Sequence, residues 1–238
     1  MAGEPPTLSV VIPAYNEERR LPETLAQVWE YLESQGRPYE LVLVDDGSSD
    51  QTLSVMRSTA NGHASVKVVS LPANRGKGRA VAEGVAASTG ELVLFTDADM
   101  STPIEEVAKL EAALDRGADV AVASRGLRES EIVIPQPGMR VLMGKVFNLI
   151  VQGSLLVPRV WDTQCGFKLF RGAAGRQLFG DLRTDGFAFD VEVLHNARRR
   201  GLRIAEVPVR WSHSAPTKVR WSHPVQMFWD VLKIRLRG

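Results

Sequence analysis

A chain of 238 residues, 44% hydrophobic and 24% charged, has ordinary globular composition and length enough for one large domain or two small ones. Its net charge of +1 supplies no chain-wide field to gather nucleic acid, and a single cysteine, Cys165, excludes an intramolecular disulfide and fits a reducing compartment such as the cytoplasm. The opening MAGEPPTLSV lacks a basic segment followed by an apolar run, so no export signal is expected; the longest apolar region, about 141–157, is broken by Lys145, Asn148 and Gln152 and falls short of the ~20 apolar residues of a spanning helix.

LSVVIPA (8–14), ELVLVDD (40–46), VKVVSL (66–71), ELVLFTD (91–97) and ADVAVASR (118–125) predict buried strands bounded by Gly, Pro, Asp or Asn. Helical spacing falls over about 22–53, 76–88 and 103–116, and within PETLAQVWEYLES the residues Leu25, Val28, Trp29 and Leu32 share one face. The alternation predicts an α/β fold: a Rossmann-like, mostly parallel central sheet with helices on both faces and right-handed crossovers. Later the chain is less regular. A PQPG break (135–138) leads to an apolar helix reaching about 157, a short segment WDTQCGFKLF (161–170), a helix over about 187–200, and a basic tail in which residues 198–238 carry ten Lys/Arg against Glu206 and Asp230. With no internal repeat, residues 1–238 are expected to form a single domain with a C-terminal elaboration.

Ligands of such sheets sit beyond the carboxyl ends of the strands, where PAYNEE, DDGSSD, PANRGKG and DADMSTP are more polar than turns require. Asp97 and Asp99, two apart at a strand end, project to the same side while the chain stays extended. Hard oxygens held so close suit Mg²⁺ or Mn²⁺, which keep waters and bind diphosphate oxygens as well. The alternative is a helix cap by Asp99 or Ser101 ahead of Pro103, with Glu105 and Glu106 complementing the dipole; Ser101 is the expected cap. DADMS also satisfies the D-x-D-x-[ST] pattern of phosphatases with an aspartate nucleophile, but that pattern opens the first strand of its domain and here it closes the fourth. Asp45 and Asp46 end the second strand; with Asp50 capping the next helix, a carboxylate remains to accept from a base N–H or ribose hydroxyls. NRGKGRA (74–80), with Lys77 and Arg79, is either a phosphate-facing loop or a glycine turn with solvated cations.

In order and spacing, LSVVIPAYNEE, VLVDDGSSDQT, NRGKGRAVAEG, LFTDADMSTP, VASRG, WDTQCGFKLF, DGFAFDVEVL and VPVRW…TKVR resemble the inverting family 2 glycosyltransferases of GT-A fold, over roughly residues 7–235. Within that family the chain is most similar to the dolichyl-phosphate β-glucosyltransferases and prokaryotic polyprenyl-phosphate transferases, with dolichyl-phosphate mannose synthase a cousin. The resemblance implies a nucleoside-diphosphate sugar as donor, UDP-glucose before GDP-mannose, and a polyprenyl or dolichyl phosphate acceptor met peripherally at the cytoplasmic face of a membrane. About 7–125 would then be the nucleotide-sugar half and about 126–238 the acceptor half. Position by position it implies that Pro13, Tyr15, Glu17, Val44 and Asp46 line the base and ribose with Lys77 nearby. Asp97, Ala98 and Asp99 match the D-x-D, Asp99 as principal metal ligand and Asp97 close to the donor's ribose or sugar. Arg125 and Lys218 match cations that hold the donor diphosphate or acceptor phosphate. Two departures stand out: Ser214 to Lys218 replace an E-G-S-K, and the C-terminal spans of many relatives are absent from this sequence.

The implied chemistry is in-line displacement through an oxocarbenium-like state, inverting an α-linked donor; a lipid phosphate oxygen is already anionic and needs no strong base. The leaving diphosphate is stabilised by a metal on Asp99 and by Lys218 or Arg125. Asp162 and Gln164 are candidates for sugar or acceptor contacts. Asp190 and Glu192 either face the site or cap the helix near 187, His195 is an ordinary helix residue, and His213 and His223 lack metal-ligand spacing. Val225, Phe228, Trp229, Leu232 and Leu236 share a helical face beside Lys233, Arg235 and Arg237; this stretch and 139–157 either lie on an anionic membrane interface or pack on the core or an oligomer contact. Two rival functions are transfer to a soluble acceptor and a nucleotide-sugar-binding subunit without turnover.

Overall fold

The computed structural model describes residues 5–154, 156–214 and 223–237; the Lys218 assignment lies outside them. The first half runs β1 (Leu8–Ala14), α1 (Leu21–Ser34), β2 (Tyr39–Asp45), α2 (Thr52–Ala60), β3 (Val66–Ser70), α3 (Lys77–Ala87), β4 (Leu92–Thr96), α4 (Val107–Asp115) and β5 (Val120–Ser124). The second runs β6 (Glu131–Ile134), α5 (Gly138–Gly153), β7 (Phe167–Arg171), α6 (Gly172–Gly180), α7 (Phe189–Arg199), β8 (Ile204–Pro208), β9 (Arg210–Ser212) and α8 (His223–Arg237).

Seven strands form one sheet in the order β3-β2-β1-β4-β7-β5-β8, parallel except for β7, which pairs antiparallel with both β4 and β5. The residues of β1 are buried along its whole length, as a strand covered on both faces requires. One core layer joins α1, α2 and α4 to the sheet and the other joins α3, α5, α6, α7 and α8 to its opposite face. The helical spacing expected over 22–53 is divided: α1 ends at Ser34, Gly36 turns the chain at φ 59°, and β2 intervenes before α2. A glycine followed two residues later by Pro38 cannot continue a helix. WDTQCGFKLF, expected only as a short segment, supplies β7 and wedges the second half of the chain into the sheet.

Neighbours β1 and β4 are reached by crossovers running in opposite directions, since β2 and β3 lie on one side of β1 and the remaining strands on the other. Their carboxyl ends are therefore the topological switch point, the place where an open α/β sheet leaves a crevice. Among the described residues, no helix is long and apolar enough to cross a membrane.

Candidate active site

The crevice is built from four strand ends. Pro13 pairs in register with Val44, and Ala14 with Asp45, so the first two polar clusters start level. Asn16 takes φ 53°, its N–H donating to Ser48 Oγ at 2.9 Å and its Oδ1 accepting from Ser49 N–H at 2.8 Å. These bonds sew PAYNEE to DDGSSD. Tyr15 is 38% exposed at the rim, and Glu17 lies 3.5 Å from Arg20.

Asp46 is buried, and its carboxylate accepts from Arg75 N–H at 2.8 Å, Gly76 N–H at 3.0 Å and Asn74 Nδ2 at 3.0 Å. Burial pushes its pKa above the usual carboxylate range, with the charge of Asp45 adding, against the pull of the two backbone donors. Asp46 thus anchors the NRG loop at the crevice, with Oδ1 accepting one bond and Oδ2 two. The Val44 side chain is wholly buried and faces α3, where a Cβ on Gly84 would come within 2.7 Å of it.

The glycines of NRGKG serve close packing. A Cβ at Gly78 would lie 2.5 Å from the Thr184 carbonyl and 2.6 Å from Phe189, and one at Gly76 would lie 2.5 Å from the Asp185 carbonyl. Gly78 N–H donates to that Asp185 carbonyl at 2.8 Å. Arg79 pairs with Glu83 at 2.7 Å along the helix and does not join the crevice cluster. Lys77, by contrast, reaches across to Asp97 Oδ1 at 2.7 Å.

Around the D-x-D, Thr24 Oγ1 donates to the Ala98 carbonyl at 2.7 Å, and Asp97 N–H to the Gly166 carbonyl at 3.0 Å. A Cβ at Gly166 would fall 2.0 Å from Asp97 Oδ2: the carboxylate occupies the space that any side chain there would fill. Asp99 Oδ1 accepts from Ser101 N–H at 3.0 Å, and Met100 turns the chain at φ 46°. The cap expected from Ser101 does not form, because the following helical turn starts beyond Pro103 without a side-chain cap.

Desolvation pushes Asp97 above the usual carboxylate range, and repulsion by Asp99 adds to it, while Lys77 and Lys168 pull it down without prevailing. Burial also works against the charge of Lys77, but Asp97, Asp190 and Asp99 together raise its pKa, so the ammonium persists at neutral pH. The fit to Mg²⁺ or Mn²⁺ follows from the donors. Asp97 Oδ2 and Asp99 Oδ2 accept no hydrogen bond among the described residues, and their mutual repulsion favours a shared cation. No third His, Cys, Asp or Glu joins them among the described residues, which suits an ion that completes its shell with water and phosphate oxygens.

Arg125 and Asp162 form a fork. Nε and Nη2 of Arg125 donate to Oδ2 and Oδ1 of Asp162, each at 2.7 Å, and the Arg125 N–H donates to Oδ2 at 2.9 Å. Asp162 is 3% exposed, and burial, which opposes its charge, is outweighed by Arg125, holding its carboxyl below the usual range. Asp162 thus orients Arg125, whose guanidinium lies 5.6 Å from the Trp211 ring. Gln164 carries a buried Nε2 without a partner among the described residues. Burial, followed by Asp162, pushes the Cys165 thiol up to about 12, so it stays protonated and is no nucleophile at neutral pH.

Sequence reasoning missed Lys168. It is 1% exposed in the middle of β7, with Nζ donating to Asp190 Oδ1 at 2.5 Å and to the Cys165 carbonyl at 2.6 Å. Its ammonium group lies 5.9 Å from the Phe95 ring centroid and that of Lys77 lies 5.3 Å from it. The available signal was a lysine interrupting FKLF, since lysine is almost never fully buried unless paired. Asp190 therefore belongs to the crevice cluster, whereas Glu192 accepts from the N–H groups of Arg183 and Thr184 at 3.1 and 2.8 Å and ties down that loop.

Paired carboxylates at the switch point of a doubly wound sheet, faced by a lysine and a forked arginine, suit a metal-assisted anionic ligand such as a diphosphate. The glycosyl transferase family 2 model matches residues 9–177, and the chain belongs to that family. It is 39% identical over 245 aligned residues to the human dolichyl-phosphate beta-glucosyltransferase, covering 97% of this chain and 75% of the relative. Identity is 40% to the mouse protein of the same name, with the same coverage, and 34% to that of Saccharomyces cerevisiae, covering 96% and 74%. Among solved structures, glucosyl-3-phosphoglycerate synthase from Mycobacterium tuberculosis, in complex with Mn²⁺, UDP-glucose and phosphoglyceric acid, superposes with a TM-score of 0.71 at 23% identity, covering 98% of this chain and 79% of that one. The fold is GT-A, as the sequence resemblance implies.

Proposed function

We propose that the protein transfers glucose from UDP-glucose to a polyprenyl or dolichyl phosphate at a membrane surface, with inversion. The observation that carries the reading is the near-full-length identity of 39–40% to animal dolichyl-phosphate beta-glucosyltransferases on a chain whose D-x-D sits at the switch point. Asp99 and Asp97 would hold Mg²⁺ or Mn²⁺, which would supply positive charge to the leaving diphosphate. Lys77 holds Asp97 in place. Arg125, kept charged and oriented by Asp162, presents a cation at the end of β5 for the donor diphosphate or acceptor phosphate. Pro13, Tyr15 and Glu17 border the region where the base and ribose would lie, and Gln164 offers a donor for a sugar or acceptor oxygen.

Support for a lipid acceptor comes from exposed apolar surface on the acceptor half. Met139, Leu142, Val146 and Leu149 on α5 are 50–71% exposed. On α8 the outward residues are Phe228, Trp229, Leu232 and Leu236, while Val231 and Ile234 face the core. The apolar face recognised in the tail is therefore turned outward, an arrangement suited to an interface helix. A peripheral location on the cytoplasmic face of a membrane follows from the same reading. UDP-[¹⁴C]glucose incubated with dolichyl phosphate tests it: label must enter the organic phase in a Mg²⁺- or Mn²⁺-dependent manner. Label appearing solely in a water-soluble product refutes the lipid acceptor, and GDP-mannose outcompeting UDP-glucose refutes the donor.

A further inference from the structure

A cleft of about 690 Å³ lies between residues 180–183, the later turns of α7 and the end of α8. Glu192, two residues past Asp190 on α7, lines its near end, and the lining runs on to Arg199 and Arg200 at the far end of that helix. Its lining includes Arg183, Arg199, Arg200 and Arg237, with His195. The two acids in the lining are already engaged. Asp181 pairs with Arg200, and Glu192 is taken by the backbone N–H groups of Arg183 and Thr184. The guanidinium groups of Arg183, Arg199 and Arg237 have no ion pair or hydrogen bond among the described residues.

Helix dipoles explain part of this, since α7 and α8 both end here and cations favour helix C-termini. Arg198 and Arg235 already stand in those same last turns. Arg183, Arg199 and Arg237 are exposed along the cleft, where no carboxylate among the described residues pairs with them. His195 adds a polar wall, with Nδ1 3.0 Å from the Leu156 carbonyl and a buried Nε2 without a partner among the described residues. The volume lies within the range of small-ligand sites, and guanidinium forks match tetrahedral oxyanions. Next to Arg237, Leu236 is 79% exposed, and Trp229 and Leu232 are exposed on the same helix.

We infer that this cleft is a second anion site, which takes a phosphate-bearing ligand, namely the headgroup of an anionic phospholipid whose acyl chains meet the apolar side of α8. The site is independent of sugar transfer and holds whether or not the acceptor is a lipid. Its test compares the wild type with R199Q/R237Q and with R57Q/R116Q, a variant of equal charge change on the opposite side of the sheet. Partition onto phosphatidylcholine vesicles containing phosphatidylglycerol should fall about 30-fold for R199Q/R237Q, from roughly one surface-cation contribution per arginine, and less than about 2-fold for R57Q/R116Q, whose arginines lie beyond a Debye length of the interface. In a second arm, inorganic phosphate and glycerol 3-phosphate are titrated at low ionic strength with thermal shift as readout. A saturable shift that R199Q/R237Q abolishes, with vesicle partition unchanged, keeps the phosphate site and assigns it to a soluble phosphate. Equal losses in both double variants, or no loss in either arm, overturn the inference. Transfer to a short-chain soluble acceptor should be unaltered in both variants, which separates this result from failure of the glucosyltransferase reading.

Discussion

Replacing Lys168 by Met tests how the crevice is held together. The Lys168 and Asp190 side chains are 1% and 4% exposed and meet at 2.5 Å, so K168M leaves a carboxylate buried without its counter-ion. Breaking one partner of a buried pair costs about 3–5 kcal/mol, which for a chain of this size corresponds to a Tm lower by about 6–20 °C. Burial already holds Asp190 above the usual carboxylate range despite the opposing pull of Lys168 and Lys77; removing Lys168 raises it further. The sign then follows: a carboxyl whose folded pKa exceeds its unfolded value binds its proton more tightly when folded, so stability falls as pH rises between the two values. K168M should therefore recover part of its loss between pH 7 and pH 5, while K168M/D190L, lacking both charges, should come within about 1–2 kcal/mol of the wild type at either pH. Urea unfolding followed by tryptophan fluorescence at the two pH values provides the measurement. A loss below about 1 kcal/mol for K168M, or a penalty unchanged by acid, would refute the claim that this pair is a buried ionic tie.

Three other outcomes are expected. G166A puts a Cβ 2.0 Å from Asp97 Oδ2, displacing the carboxylate, so transfer should drop about 100-fold while circular dichroism stays native; unchanged kcat/KM would contradict the packing. D162N leaves Arg125, 26% exposed, without its charge partner, a loss of about 2–3 kcal/mol at pH 7 after allowing for solvent at the arginine. Because the Asp162 pKa is depressed on folding, its contribution is complete above about pH 4 and lost as pH falls through the folded value, so wild type and D162N should converge in acid melts. D99N should lower transfer about 10²–10³-fold without lowering Tm, since the Asp99 charge destabilises ionised Asp97; calorimetry should also show weaker UDP binding with Mn²⁺ but no weakening in EDTA.

The strands of the first half were legible because parallel strands covered on both faces read as uninterrupted apolar runs, and their polar ends mark where the sheet opens. Asp97, Asp99, Lys77 and Arg125 could be located this way, as residues at strand ends. What escaped was direction. Val44 and Asp46 share a face of the strand, and only the path of the 74–84 segment decides that one packs on α3 and the other binds backbone N–H groups. Asp162 stood out because a polar run exceeds the needs of a turn; its pairing with Arg125, 37 residues away, lies beyond any local pattern. β7 was hidden by the same long-range pairing, for Lys168 breaks the apolar signature of a central strand and is tolerated only because Asp190, on α7, arrives opposite it.

The charge balance of the crevice links these particulars. Counted by formal charge, the three carboxyl groups of Asp97, Asp99 and Asp190 stand against the two ammonium groups of Lys77 and Lys168, while Arg125 and Asp162 cancel in their own fork. The excess of one negative charge is concentrated at the D-x-D, where Asp97 is already held above its usual range. Alone, that recess repels a nucleoside diphosphate. A divalent cation on Asp97 and Asp99 would convert the excess to one positive charge and reverse the sign of the field a diphosphate meets. Metal and donor would then be coupled by electrostatics, and the buried Lys168–Asp190 pair matters because it holds the second ammonium charge where solvent cannot screen it. On this account D99N, which removes the excess, should strengthen metal-free donor binding while abolishing the gain from Mn²⁺.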